Sequence, residues 1–371
     1  MKIGASGMFS DDYGYLRKSI HYPAGDFFLE GMRFDKQNHY SGFLYPFVIS
    51  PWRFIEGMVP RYAVVAFINS LLGLISVVAS IAVFRELDKR ISFLTMLLFF
   101  LLPPIFLFTF YALTENLLFP MIPMGIWFVL LGVKRRSIFA ELGTFFVSFC
   151  APLVRPPGLA LTLALFAGKF VYAPTKRDRV LASLYVVVSL FGYFLLARYF
   201  SNLLGHSTEV YYADRIASHF EGWRSVVVGA TLTLNQLLYI VVSVGVWPLA
   251  FLISYWIVRT NNDEKSLDTT WRCFCLIVAT SFLGFLAFSV VHLLMKFNLD
   301  PAKSDFIYGR YSDPCVFLLL LWSSVVFSDL SIQKTRLPPV AVAFASVLFF
   351  IGLLRTIGWE SETINNAGWF L

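Results

Sequence analysis

Of the 371 residues, 58% are hydrophobic and only 14% charged, with 40 phenylalanines and a mean hydropathy of +0.70. That composition excludes a soluble domain with a polar surface and describes a polytopic membrane protein. The formal net charge of +7 sits in short clusters between apolar runs, which is how orientation signals are distributed, so it speaks for membrane topology and against a nucleic-acid partner.

In chain order, the first 62 residues carry no apolar run of spanning length. They hold the paired acids of FSDDYGYL, Asp11 and Asp12, and then the aromatic and basic stretches YLRKSIHY and FFLEGMRF. Within 14–57 these read as amphipathic interfacial helices with aromatics at headgroup level. MKIGASGMF is too short for a spanning helix or a signal-peptide core. An exterior first loop therefore leads us to expect either a helix encoded upstream of Met1 or a short N-terminus translocated on its own.

Several apolar runs meet the roughly 20 residues that a bilayer core of about 30 Å needs, and the spans read at about 63–84, 91–108, 112–132, 138–152, 156–173, 180–200, 233–258, 272–296, 313–328 and 338–356, the pair around 138–173 being two short halves separated by APLVRPPG. The expected fold is all-α, a bundle of about 9–10 transmembrane helices. We read one membrane domain, with an exterior loop over 1–62, spans over 63–356 and an exterior tail over 357–371. The short loops RELDKR, VKRR, PTKRDR, RTNNDEKSLDTTWR and SIQKTR are basic and read as cytoplasmic. Asp11, Asp12, Glu115, Arg155 and Arg310 then fall on the opposite face. Glu115 begins an apolar run, Arg155 interrupts one and Arg310 abuts another, depths at which an ionisable group needs a wet cavity or a partner. The segment 201–232, with STEVYYADRIASHFEGW, is either another interfacial helix or a solvated connector.

Five fragments in order, SDDYGYLRKSIHY, GFLYPFVISPWRFIEG, YALTENLLFPMIP, LVRPPGLAL and YGRYSDPCVFLLL, resemble the motifs of GT-C type integral membrane glycosyltransferases. Those enzymes take a sugar from a polyprenyl-phosphate-linked donor. The resemblance runs from residue 8 to about 328 and implies a GT-C-like fold. It implies Asp11 as the base for an acceptor hydroxyl and Asp12 as alternate base or acceptor contact. Arg155 and Arg310 become donor-phosphate ligands, with Glu115, Tyr311 and His21 as substrate contacts. The partners implied are the polyprenyl-phosphate sugar, a glycan, lipid or protein acceptor, and membrane lipids. The compact loops favour a prokaryotic plasma membrane with the site facing the periplasm or exterior, with the endoplasmic reticulum as the alternative.

Each residue also has a plainer reading. Ser10 or Asp11 suits the N-cap of a following helix. Either arginine can snorkel to the headgroups or pair with an acid such as Asp305 or Asp313, and Glu115 can pair with one of the arginines. A divalent metal at the pair of Asp11 and Asp12 is the one cofactor left open, although two carboxylates do not by themselves define such a site. Cys150, Cys273, Cys275 and Cys315 lie in or beside apolar segments and read as packing residues. Walker A, dinucleotide-binding, H-E-x-x-H and C-x-x-C patterns are absent from the sequence, which leaves nucleotide hydrolysis and zincin chemistry without support. The competing function is a lipid or solute transporter or flippase, which would use intramembrane charge and broken helices but often shows internal repeats; a non-catalytic GT-C relative is a third.

Overall fold

The computed structural model of the chain describes residues 44–51, 58–89, 114–204, 222–261, 268–297, 307–332, 338–357 and 364–365. They are helical throughout, apart from two strands of two residues. Five described helices are long and apolar enough to cross a membrane, and five further apolar helices are shorter. The chain is accordingly an integral membrane protein of all-helical class. Asp11, Asp12, His21, the interfacial segment up to residue 43 and the expected span at 91–108 lie outside the described residues.

The helices fall into two compact units. The first holds α1 (Leu44–Ile49), most of α2 (Met58–Glu86), α3 (Glu115–Arg135), α4 (Ile138–Val154), α5 (Gly158–Tyr172) and α6 (Lys176–Leu204). Part of the GFLYPFVIS motif is thus helical, and the Tyr45 hydroxyl ties it to α2 by donating to Asn69 Oδ1 at 2.9 Å. Of the apolar window of α3, 78% is buried, against 11% for α6. The first therefore forms the centre of its unit and the second its lipid face. Close approach of α3 to its neighbours depends on missing side chains. The Phe128 ring lies where a Gly143 Cβ would stand, and Leu165 and Val147 crowd Gly125 in the same way, as expected where helices associate without a hydrophobic drive between them.

The expected spans 138–152 and 156–173 are α4 and α5, and they form an antiparallel hairpin whose turn is Arg155-Pro156-Pro157. At 17 and 15 residues they are about 25 and 22 Å long, shorter than a bilayer core. Two local facts close the turn. Pro152 has no N–H, so it cannot bond the Ser148 carbonyl one turn back. That orphan is taken by the Thr162 hydroxyl of α5, which donates to it at 2.7 Å. At the tip, a Cβ on Gly158 would overlap the Ala151 carbonyl and stand 2.7 Å from Pro152 N, so the backbones can meet only with glycine there.

The second unit holds α7 (Gly222–Val244), α8 (Val246–Asn261), α9 (Thr269–Phe297), β1 (Ile307–Tyr308), α10 (Gly309–Ile332), α11 (Pro339–Ile357) and β2 (Ile364–Asn365). The single span expected at 233–258 is corrected to two helices broken at Gly245, whose φ is +83°, a conformation that favours glycine. Pro248 follows in the first turn of α8, where its missing N–H costs nothing. Both helices lie along α10: Tyr239 donates to Asp313 near its start, and the Phe251 and Phe327 rings lie 4.8 Å apart further along it, so α7 and α8 run parallel to that helix. The connector expected to reach residue 232 is also shortened, since α6 continues to Leu204 and α7 already begins at Gly222. Ile307 and Tyr308 pair in parallel with Ile364 and Asn365, bringing the segment after α11 to the start of α10.

Thr162→Val should lower the unfolding midpoint in detergent, at a cost of about 1–2 kcal/mol from the orphaned carbonyl. In a Pro152→Ala background, where residue 152 supplies its own N–H to Ser148, the same change should cost close to nothing. Gly158→Ala should cost about 3 kcal/mol or more, because the overlapping atoms are backbone and cannot move aside.

Candidate functional site

In the first unit the structure joins two of the fragments singled out in the sequence. Glu115 opens α3, and Arg155 ends α4 as its C-cap. The two side chains form an ion pair, Arg155 Nη1 to Glu115 Oε1, with 9% and 1% of their side-chain surfaces exposed. Helix lengths explain why an arginine is needed. At 21 residues α3 is about one turn longer than α4 at 17, and the long guanidinium-bearing side chain spans that difference. Thr114 supplies a second polar contact, its hydroxyl donating to Glu115 Oε2 at 3.3 Å. Thr114 and Asn116 are buried as well. Pairing with an arginine, one of the two roles open to Glu115 in the sequence, is thus present in the structure.

The pair suits its surroundings. Two ions out of water are tolerated only in good geometry with further polar groups around them, and a carboxylate in the first turn also complements the helix dipole.

In the second unit, Arg310 and Tyr311 lie in the first turn of α10. Directly after them begins a buried polar network that the sequence reading missed. Ser312 Oγ donates to Gln236 Oε1 at 2.5 Å, Ser289 Oγ approaches the same oxygen at 3.5 Å, and the two hydroxyls are 3.2 Å apart. One residue on, Asp313 accepts from the Tyr239 hydroxyl at 2.8 Å. Each of these side chains is at most 1% exposed, and the amide nitrogen of Gln236 has no partner among the described residues. Three helices, α7, α9 and α10, are thereby cross-linked by polar groups just beneath the Gly-Arg-Tyr fragment. A signal existed in the adjacent Asn235 and Gln236, set in the apolar run LTLNQLLYI. Nothing in the spacing indicated Ser289 or Ser312 as the partners.

Among the described residues no three His, Cys, Asp or Glu side chains gather as a metal site. Cys150, Cys273 and Cys315 are buried free thiols and Cys275 is half-buried. A second ion pair, Glu141 with Lys169, bridges α4 and α5 at the end of the hairpin away from Arg155, and Lys169 Nζ lies 4.9 Å from the Tyr185 ring centroid.

Glu115→Ala and Arg155→Ala should each destabilise the protein by about 3–5 kcal/mol, because each strands a buried charge. Their double variant should recover about 1–3 kcal/mol of the summed loss, measured as a double-mutant cycle on unfolding in detergent. Compared with protein-family models, curated proteins and solved structures, the chain finds no match in any of the three.

Proposed function

We propose that this chain is a GT-C type glycosyltransferase that moves a sugar from a polyprenyl-phosphate donor to an acceptor hydroxyl at the exterior face of its membrane. The observation that carries the reading is the buried ion pair between Glu115 and Arg155. It unites the fragments YALTEN and LVRPPG, which the resemblance assigns to one site. The polar network beneath Arg310 and Tyr311 supports it in the second unit, since buried hydroxyl and amide groups suit a polar substrate better than packing alone requires.

In this reading Asp11 accepts the proton of the acceptor hydroxyl as its oxygen bonds to the anomeric carbon. The bond from that carbon to the phosphate oxygen breaks, and its electron pair leaves with the polyprenyl phosphate. Asp12 is the alternate base or an acceptor contact. Arg155 and Arg310 stabilise the leaving phosphate, a role suited to guanidinium, which stays charged at membrane depth and forms paired hydrogen bonds to phosphate oxygens. Glu115 orients Arg155, and Tyr311 and His21 contact the sugar.

One observation favours the transporter reading instead. The path of α7 and α8 is interrupted at Gly245, and the buried network of Gln236 and Asp313 lies on the α7 side of the break. Against it, the short hairpin of α4 and α5 has no counterpart among the described residues of the second unit, whereas transporter halves tend to correspond.

Transfer of labelled sugar from polyprenyl-phosphate donors, assayed on the purified full chain, separates these readings. Asp11→Asn should reduce transfer by about 10²–10⁴-fold, with Asp12→Asn giving a smaller loss if Asp12 serves the acceptor. Undiminished transfer in both variants removes the assigned base. Absence of transfer from every donor, together with flux of a solute or lipid through reconstituted vesicles, replaces the enzyme with a transporter.

A further inference from the structure

Between α4, α5 and α6, all in the first unit, lies a small cavity of about 10 Å³, which is room for one water molecule. Hydroxyls crowd one part of its wall. Thr144 and Ser148 stand one turn apart on α4 and so share a face, and Thr162 reaches them from α5. Lys169 and Tyr185 line the same space, with Lys169 held in its ion pair with Glu141. Ser148 lies about 15 Å along α4 from its first residue, well inside a bilayer core of about 30 Å, where each polar group needs a partner supplied from within.

The three hydroxyls are complementary to one small guest. Thr144 gives its proton to the Ala140 carbonyl at 2.8 Å, and Thr162 gives its own to the Ser148 carbonyl at 2.7 Å, so toward the cavity both oxygens can only accept. Ser148 is the opposite case. A helical serine can return its proton to the carbonyl four residues back, yet the Ser148 hydroxyl makes no hydrogen bond to any described residue, and the residue is only 3% exposed. Its proton is left for whatever stands in the cavity. One donor and two acceptors match a molecule that accepts once and donates twice, and they supply the roughly three hydrogen bonds that a buried water makes. An acyl chain would leave all three unmade, and a metal cation would stand beside the Lys169 ammonium.

We propose that this cavity is the binding site of one ordered water, which accepts from Ser148 and donates to Thr144 and Thr162. The water then forms a second link between α4 and α5 beside the direct bond from Thr162 to the Ser148 carbonyl. Closure of the hairpin, and with it the position of Arg155 at its tip, depends in part on a solvent molecule held within the membrane.

Ser189 on α6 provides the control for a test. Its hydroxyl is buried in the same unit and has no partner among the described residues, but it does not line the cavity. In unfolding of the purified full chain in detergent, Ser148→Ala and Thr144→Val should each lower the folded-to-unfolded ratio about fivefold. The double variant should lose little more than either alone, because the same water is given up once. Ser189→Ala should leave the ratio unchanged or raise it, since it removes a polar group that burial penalises. A map of the wild type at a resolution that shows ordered water should carry density within hydrogen-bond reach of all three hydroxyls; this arm needs no variant, so misfolding of a substituted chain does not protect the idea. A gain in stability from Ser148→Ala like that from Ser189→Ala overturns the proposal, as do additive losses in the double variant. So does a map in which the cavity holds no density or holds an acyl chain.

Discussion

In a hydrocarbon slab every backbone N–H and C=O must find a partner within the protein, and the hairpin of α4 and α5 in the first unit shows one way of meeting that rule at a proline. Pro152 lies in the last turn of α4 and frees the Ser148 carbonyl. Thr162 on the returning helix fills the vacancy, and this bond, with the bare backbone of Gly158 against Ala151, sets how tightly α4 and α5 close. A hairpin closed in this way ends about a turn short of the start of α3. Arg155 bridges the shortfall to Glu115. The ion pair thus follows from helix length and backbone satisfaction, and its burial between three helix ends fixes where both charged groups stand.

The second unit solves a different problem. A path of 23 and 16 residues is longer than a bilayer requires of one helix, and the left-handed residue at Gly245 lets it change direction while α10 lies along both parts. Polar cross-links gather toward one end of that path, where Ser289, Gln236, Ser312, Tyr239 and Asp313 meet, and rings toward the other, where Tyr255 meets Trp271 and Phe251 lies 4.8 Å from Phe327. A hydrogen bond between helices in lipid contributes only about 1 kcal/mol, so the network serves to fix the angular setting of α7, α9 and α10 more than to hold them together. That setting decides how the first turn of α10, with Arg310 and Tyr311, is presented.

Helix existence was legible because it depends on apolar run length alone. The expected spans 112–132, 272–296 and 338–356 each coincide with a helix to within a few residues. What the runs concealed were interruptions and extensions carried by single residues. Gly245 with Pro248 three positions on was a readable stop and start signal, outweighed by the hydrophobicity on either side. The first turns of α7, GWRSVVVGATLT, are polar enough to read as a connector yet helical. At the candidate site the fragments were legible as fragments, but the pairing of Glu115 with Arg155 was one choice among several. Which acid meets which arginine depends on relative helix lengths and on the turn at Pro156 and Pro157. Gln236, Ser289 and Ser312 lie on separate helices, and lone hydroxyls in apolar runs have no spacing that announces a partner.

The two ends of the first unit treat cations in opposite ways, and this bears on what Arg155 can do. At one end Lys134, Arg135, Arg136, Lys176, Arg177 and Arg179 stand exposed. At the other a single guanidinium is nearly dry and held by a carboxylate. A guanidinium carries five N–H donors in a planar fork, of which one carboxylate engages at most two. A lysine in that position would offer three donors from a single point and could not set them by geometry. Pairing with Glu115 therefore fixes the plane of the Arg155 fork as well as offsetting its charge. Under the proposed function, a group pre-oriented in that way would lose little freedom on meeting a phosphate oxygen, and preorganised charge in a water-poor site is the form of electrostatic stabilisation that transfer of a sugar from a lipid phosphate would use.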